Sequence, residues 1–178
     1  SHQDHLCAMV AMAKAAGVDD LMVHAITDGR DTSPTGGAGF VSKVEDEIAK
    51  YGARIATITG RYYAMDRDKR WERTKLAWDA IVHGIGEPKQ VLPSEAMAEA
   101  YEDSKTDEFL LPMVFETPGK KLVRDGDVVA AVEGEAQRGA DGGVHAGGGP
   151  PAVHDREAEA LLPLGRGGGE GADDRAQR

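Results

Sequence analysis

Five cations crowd residues 60–73 of an otherwise acidic chain. Arg61, Arg67, Lys69, Arg70 and Arg73 are interleaved there with Tyr62, Tyr63 and Trp71, while the whole sequence carries a formal charge of -10. A guanidinium presents a planar fork of donors that matches phosphate or carboxylate. Anion binding is therefore one chemistry open to this stretch. A solvated helix start is the other, with Asp66 and Asp68 capping the helix and the bases forming surface pairs. Bases mixed with aromatics also fit single-stranded nucleic acid. The stretch is short and the protein acidic, so neither nucleic acid nor a membrane surface is an expected partner.

Asp28, Gly29, Arg30, Asp31 and Thr32 form a second candidate. Gly29 permits a tight turn, Arg30 can clamp an anion, and Asp31 can orient Arg30 or accept a proton from a hydroxyl. The bland alternative is a turn stabilised by its own Asp side chains. His2, Asp4 and His5 have helical spacing that could hold a metal, although helix-start polarity explains them as well. His24 reads as a hydrogen-bonded histidine at the core or a loop edge, and His83 as a cation in a last helical turn. Residues 36–39 are glycine-rich but lack the lysine and spacing of a phosphate loop.

These side chains need a scaffold. Residues 4–16, 40–51, 68–83 and 93–104 read as helices. Residues 21–26 and 54–59 read as buried strands, and 109–115 and 121–123 as further candidates. Phe40, Val44 and Ile48 are expected on the inner face of one helix. Trp71, Leu76, Ala77, Ile81 and Val82 are expected on that of another. Alternation at this pitch predicts an α/β fold, three layers deep, with a mostly parallel sheet and right-handed crossovers. Loops 27–39 and 60–66 both leave the carboxyl ends of strands, where such sheets bind ligands. That topology puts Arg30, Asp31, Arg61 and Arg67 at one crevice.

With 178 residues, 40% apolar and 29% charged, the chain has the length of about one domain. Cys7 is the only cysteine, so no internal disulfide or cysteine-rich metal site can form, and its apolar neighbours predict a packed thiol. No apolar run reaches membrane-spanning length, and no signal peptide opens the chain. A soluble, cytoplasmic location is expected, for a chain that lacks an initiator Met and reads as a fragment. Residues 130–178 contain no Ile, Phe, Tyr, Trp, Met, Lys, Ser or Thr. Such a tail cannot bury enough apolar surface to order itself. It is expected to be disordered or non-native, the product of a shifted frame in a GC-rich gene.

Two stretches, residues 24–32 and 60–73, closely resemble cofactor-independent phosphoglycerate mutase. The opening Ser1, His2, Gln3, Asp4, His5 and Leu6 is similar to the same family, as are residues 106–109 and 125–129. The resemblance covers residues 1–129 and implies part of the family's inserted phosphotransferase domain. It implies interconversion of 3- and 2-phosphoglycerate in glycolysis through a phosphoserine, with two divalent metals, usually Mn²⁺, no 2,3-bisphosphoglycerate, and a monomeric enzyme. By motif match, Arg30, Asp31, Arg61 and Arg67 bind the substrate, and Asp31 accepts the glycerate hydroxyl proton. The family's substrate-contacting histidine falls just before Ser1. Its aromatic strand and paired arginines are replaced at residues 130–134, and its metal ligands and nucleophilic serine have no counterpart here. The expectation is a glycerate-clamping piece, inactive alone. The alternative is a non-catalytic binding module for a small phosphorylated acid.

Overall fold

The computed structural model describes residues 2–130. The expectations for the tail fall outside these residues, Ala130 apart. Helix α1 (Gln3–Ala15) opens on a reciprocal cap: His2 Nδ1 accepts from the Asp4 amide, and His5 Nδ1 accepts from the His2 amide, each at 3.2 Å. The histidine pair is thus occupied with helix-start amides. Strand β1 (Met22–Thr27) follows, then α2 (Gly37–Ala49) and β2 (Arg54–Gly60). β1 and β2 are parallel, with Val23 opposite Ile55 and, after a register shift, His24 opposite Thr57. Next come α3 (Arg61–Ala64), α4 (Trp71–His83), β3 (Glu87–Pro88), α5 (Pro93–Glu102), a 3-10 turn (Asp107–Phe109) and β4 (Met113–Val114).

Among the described residues the sheet runs β1-β2-β4-β3. β2 pairs antiparallel with β4, whereas β3 and β4 are parallel. The α/β class with flanking helices holds, with two of three pairings parallel. Val10 of α1, Val41, Val44 and Ile48 of α2, and Ala96, Met97 and Ala100 of α5 share one core with Ile55 and Ile58 of β2. Ala77 and Ala80 bury the inner side of α4, and the Leu122 amide bonds to the Val82 carbonyl beside it.

Several expectations change. The stretch 60–66 contains a helical turn, α3, and is not all loop. α4 starts at Trp71 rather than residue 68, because Lys69 takes φ 58°, which breaks a right-handed helix. Val41, not Phe40, faces the core, and Trp71 is 73% exposed, since the small Ala77 and Ala80 make the contact that lets α4 sit close. β1 is an edge strand in this sheet, which leaves Ile26 48% exposed rather than buried. The strand expected over 109–115 shrinks to Met113–Val114, because the 3-10 turn occupies its start and Pro112 has no amide to pair. Residues 121–123 form no strand, and Glu87–Pro88 supplies an unexpected one.

Candidate functional site

The carboxyl ends of β1 and β2 are brought unusually close to the 3-10 turn by two glycines. A Cβ on Gly29 would lie 2.7 Å from Asp107 Cβ, and one on Gly60 would lie 2.7 Å from the Leu110 amide nitrogen. Gly29 also sits at φ 65°, which glycine adopts without steric penalty. The Gly60 amide bonds to the Leu110 carbonyl at 2.9 Å, and the Thr27 hydroxyl donates to the Asp107 carbonyl at 2.7 Å. Both strand ends are therefore fastened to one turn, and the loops leaving them meet there.

Between these loops lies an open cavity of about 370 Å³. Arg30 reaches it from the first loop. Arg61 and Tyr62 come from α3, Arg67 from the following turn, Arg73 from α4, and Phe109 from the 3-10 turn. Three of the four expected residues, Arg30, Arg61 and Arg67, line this one cavity. Asp31 does not line it. Its exposed carboxylate accepts from Arg61 at 2.8 Å, so it stands behind that guanidinium.

The four arginines differ in their partners. Arg61 is bridged between Asp28 and Asp31. Its bonds to Asp31 and Asp28 raise its already high pKa. Burial pushes the Asp28 carboxyl up, but the bonds from Arg61 and the loop amides outweigh that and leave it below its usual value. Arg73 stacks on the Tyr62 ring, 3.9 Å from its centroid, and donates to Asp66 at 3.3 Å. Tyr62 in turn packs on Phe109, with ring centroids 5.1 Å apart. The Asp66 carboxylate is only 2% exposed and also accepts from the Arg70 amide at 2.8 Å. Among the described residues, neither Arg30 nor Arg67 forms an ion pair. An incoming anion meets these two without displacing a carboxylate, and Arg61 only by sharing with Asp28 and Asp31.

Sequence reading missed Asp28 as the partner of Arg61, and Arg73 as a wall of the cavity. Spacing gave no hint of either. It also missed the 3-10 turn, whose role depends on two glycines far from it in the chain. His24 behaves as expected: its Nδ1 is 2.9 Å from the Thr57 hydroxyl, and burial holds its pKa below the usual value. Cys7 is half-buried, and burial raises its thiol pKa. Among the described residues, no group of three or more His, Cys, Asp or Glu side chains is placed to hold a metal ion. The described residues do not fit a divalent-metal centre. No described helix is long and apolar enough to cross a membrane.

Residues 1–138 match the family model described as the BPG-independent PGAM N-terminus. The 2,3-bisphosphoglycerate-independent phosphoglycerate mutase of Akkermansia muciniphila is 54% identical over 129 residues, covering 72% of this chain and 25% of the relative. Its namesake in Clostridium perfringens is 48% identical over 132 residues, or 72% of this chain and 26% of that one. That of Moorella thermoacetica is 48% identical over 141 residues, or 78% and 27%. The chain thus spans about a quarter of the length of these curated relatives. The matched residues include both arginine loops and the turn that joins them, and the chain belongs to the N-terminal family of the 2,3-bisphosphoglycerate-independent phosphoglycerate mutases.

Proposed function

We propose that this chain is the glycerate-clamping part of a phosphoglycerate mutase acting in glycolysis. The observation that carries the reading is the convergence of Arg30, Arg61 and Arg67 on one open cavity at the strand ends. Phosphoglycerate carries a phosphate and a carboxylate, two anions that separate guanidinium forks can hold at once. In this reading Arg30 and Arg67, which have no ion pair among the described residues, take the anionic groups first. Arg61 then orients what they hold. Asp31 receives the glycerate hydroxyl proton after loosening from Arg61, a bond at the protein surface that costs little to exchange. Holding the glycerate in place contributes by positioning and charge stabilisation, the terms that dominate phosphoryl transfer.

The reacting serine and the two divalent ions, Mn²⁺ in this proposal, belong to parts of the enzyme that this chain does not supply. The chain alone should then bind 3-phosphoglycerate and not isomerise it, in the cytoplasm and as a monomer. Calorimetry with 3-phosphoglycerate tests the binding. Wild type should release heat on saturation and Arg61→Ala should bind more weakly; no binding by the wild-type chain would overturn the reading. An enolase-coupled assay with Mn²⁺ should give background rates, and turnover well above background would show that the chain is more than a clamp.

A further inference from the structure

Asp107 is the most buried acidic residue among the described residues, at 1% exposure, yet it forms no ion pair there and lies outside the cavity lining. Its side chain accepts from the Gly37 amide at 2.7 Å and from the Tyr101 hydroxyl. That hydroxyl also accepts from the Ala38 amide at 3.1 Å. Gly36, the residue at the cap position of α2, offers no side-chain bond to the helix. Asp107 and Tyr101 therefore cap α2 from 70 and 63 residues away. The Asp107 main chain completes the attachment. Its amide donates to the Pro34 carbonyl at 2.8 Å, and its carbonyl accepts from the Thr27 hydroxyl at 2.7 Å.

One residue thus holds both ends of the loop that runs from Thr27 to Gly37 and carries Arg30 and Asp31. Apart from the Asp107–Pro34 bond, the main-chain amides inside the loop bond locally, while the Asp28 and Asp31 carboxylates reach Arg61 on α3. Asp28 accepts from the Asp31 amide, Thr32 accepts from the Gly29 amide, and the Gly36 amide bonds to Ser33. These shape the turns but do not anchor them to the sheet. Asp107 also sits in the turn whose neighbour Phe109 packs on Tyr62, beside Arg61. The two arginine loops consequently meet through the segment that Asp107 fixes.

We propose that Asp107 is the positioning residue of the site: it fastens the Arg30–Asp31 loop and α2 to the 3-10 turn, and so sets the spacing of Arg30 from Arg61 and Arg67. A buried carboxylate is suited to this because it accepts several bonds at a helix start, where the backbone dipole favours negative charge. Its consequence for ligand binding rests on the functional reading above. Its consequence for the loop does not.

The test uses the full 178-residue chain, with Asp107→Ala and the shape-conserving Asp107→Asn. Asn keeps one acceptor for Gly37 but loses the second, so its effect should be the smaller and its fold the safer. Amide hydrogen exchange should rise about tenfold at Asp31, Gly37 and Ala38, the loss of one buried bond. Val23 and Ile58 in the strands should exchange as in wild type. The dissociation constant for 3-phosphoglycerate should rise about tenfold in parallel. Exchange unchanged in the loop, or raised equally in loop and strands, overturns the inference. So does wild-type affinity in a variant whose loop has loosened. If the wild-type chain binds no 3-phosphoglycerate, the functional reading falls instead, and loop against strand exchange still decides the role of Asp107. If Asp107→Ala fails to fold, Asp107→Asn decides both readouts.

Discussion

The two ends of the β1–β2 pair are built on different principles. At the amino ends the chain turns through Gly17 and Gly52, both at positive φ and both with nothing within 4 Å of where a Cβ would sit. At the carboxyl ends Gly29 and Gly60 are pressed against the backbone of the 3-10 turn. The charges differ likewise. Near the amino ends Arg54 is shared between Asp20 and Glu116, and this pairing ties strand to loop. At the carboxyl ends Arg61 has a similar double pairing, but Arg30 and Arg67 stand beside it without an ion pair among the described residues. An arginine fully matched by carboxylates holds structure together. Arginines that no carboxylate holds, as Arg30 and Arg67 are among the described residues, are arranged for something that arrives.

The largest expected effect breaks this contrast at the glycines. Gly60→Ala should destabilise by about 2–3 kcal/mol, although Gly60 has an ordinary φ, because its Cβ would press on the Leu110 amide and the backbone must move. Gly52→Ala should cost only about 1 kcal/mol, the backbone penalty of φ 72° in open space. Urea unfolding of both variants measures the difference, and equal costs would remove the claim that the carboxyl end is the crowded one.

The arginines come next. Arg67→Ala should weaken 3-phosphoglycerate binding by tenfold to a hundredfold, as loss of a charge-assisted bond does, and leave stability near wild type. Arg54→Ala should do the reverse, losing up to about 1 kcal/mol of stability with no change in affinity. Calorimetry and urea unfolding on the same two proteins check this, and weakened binding in Arg54→Ala would erase the distinction between the ends.

Asp28→Asn should be milder. It frees Arg61 from one of its two carboxylates, so binding should change by only a few fold and should become more sensitive to added salt. Titrations at two salt concentrations would measure it.

The smallest effect concerns His24, midway between the ends. Its pKa is lowered by burial, so the unfolded chain binds the proton more readily than the fold does. Stability is then full above the ordinary histidine value of 6.5 and falls as pH drops below it toward the folded value. His24→Gln, which can still pair with Thr57, should flatten the stability profile below about pH 6.5, which urea unfolding at several pH values checks.

Much of this was legible in the chain. The arginines of residues 60–73 and the Asp28–Thr32 turn could be read as an anion site because both follow apolar runs of strand length, and alternation with helices puts such loops on one edge. The family could be read from the same stretches. Less legible was how the side chains divide the work. Arg61 and Arg73 look alike in sequence to Arg67, yet their partners Asp28, Asp31 and Asp66 commit them differently. Trp71 looked like core because periodicity records spacing and not which side of α4 lies on the sheet; the alanines do.

The sequence by itself determined the order of the four long helices and of β1 and β2, the loops that carry charge and the chemistry those charges could perform, since propensity, apolar period and turn residues are local properties. Only the tertiary structure decided which cations keep a carboxylate partner and which face open space. It alone revealed Asp107, whose amide partner lies 70 residues earlier in the chain. A hydrogen bond between distant segments leaves no local period, so no spacing rule could have found it.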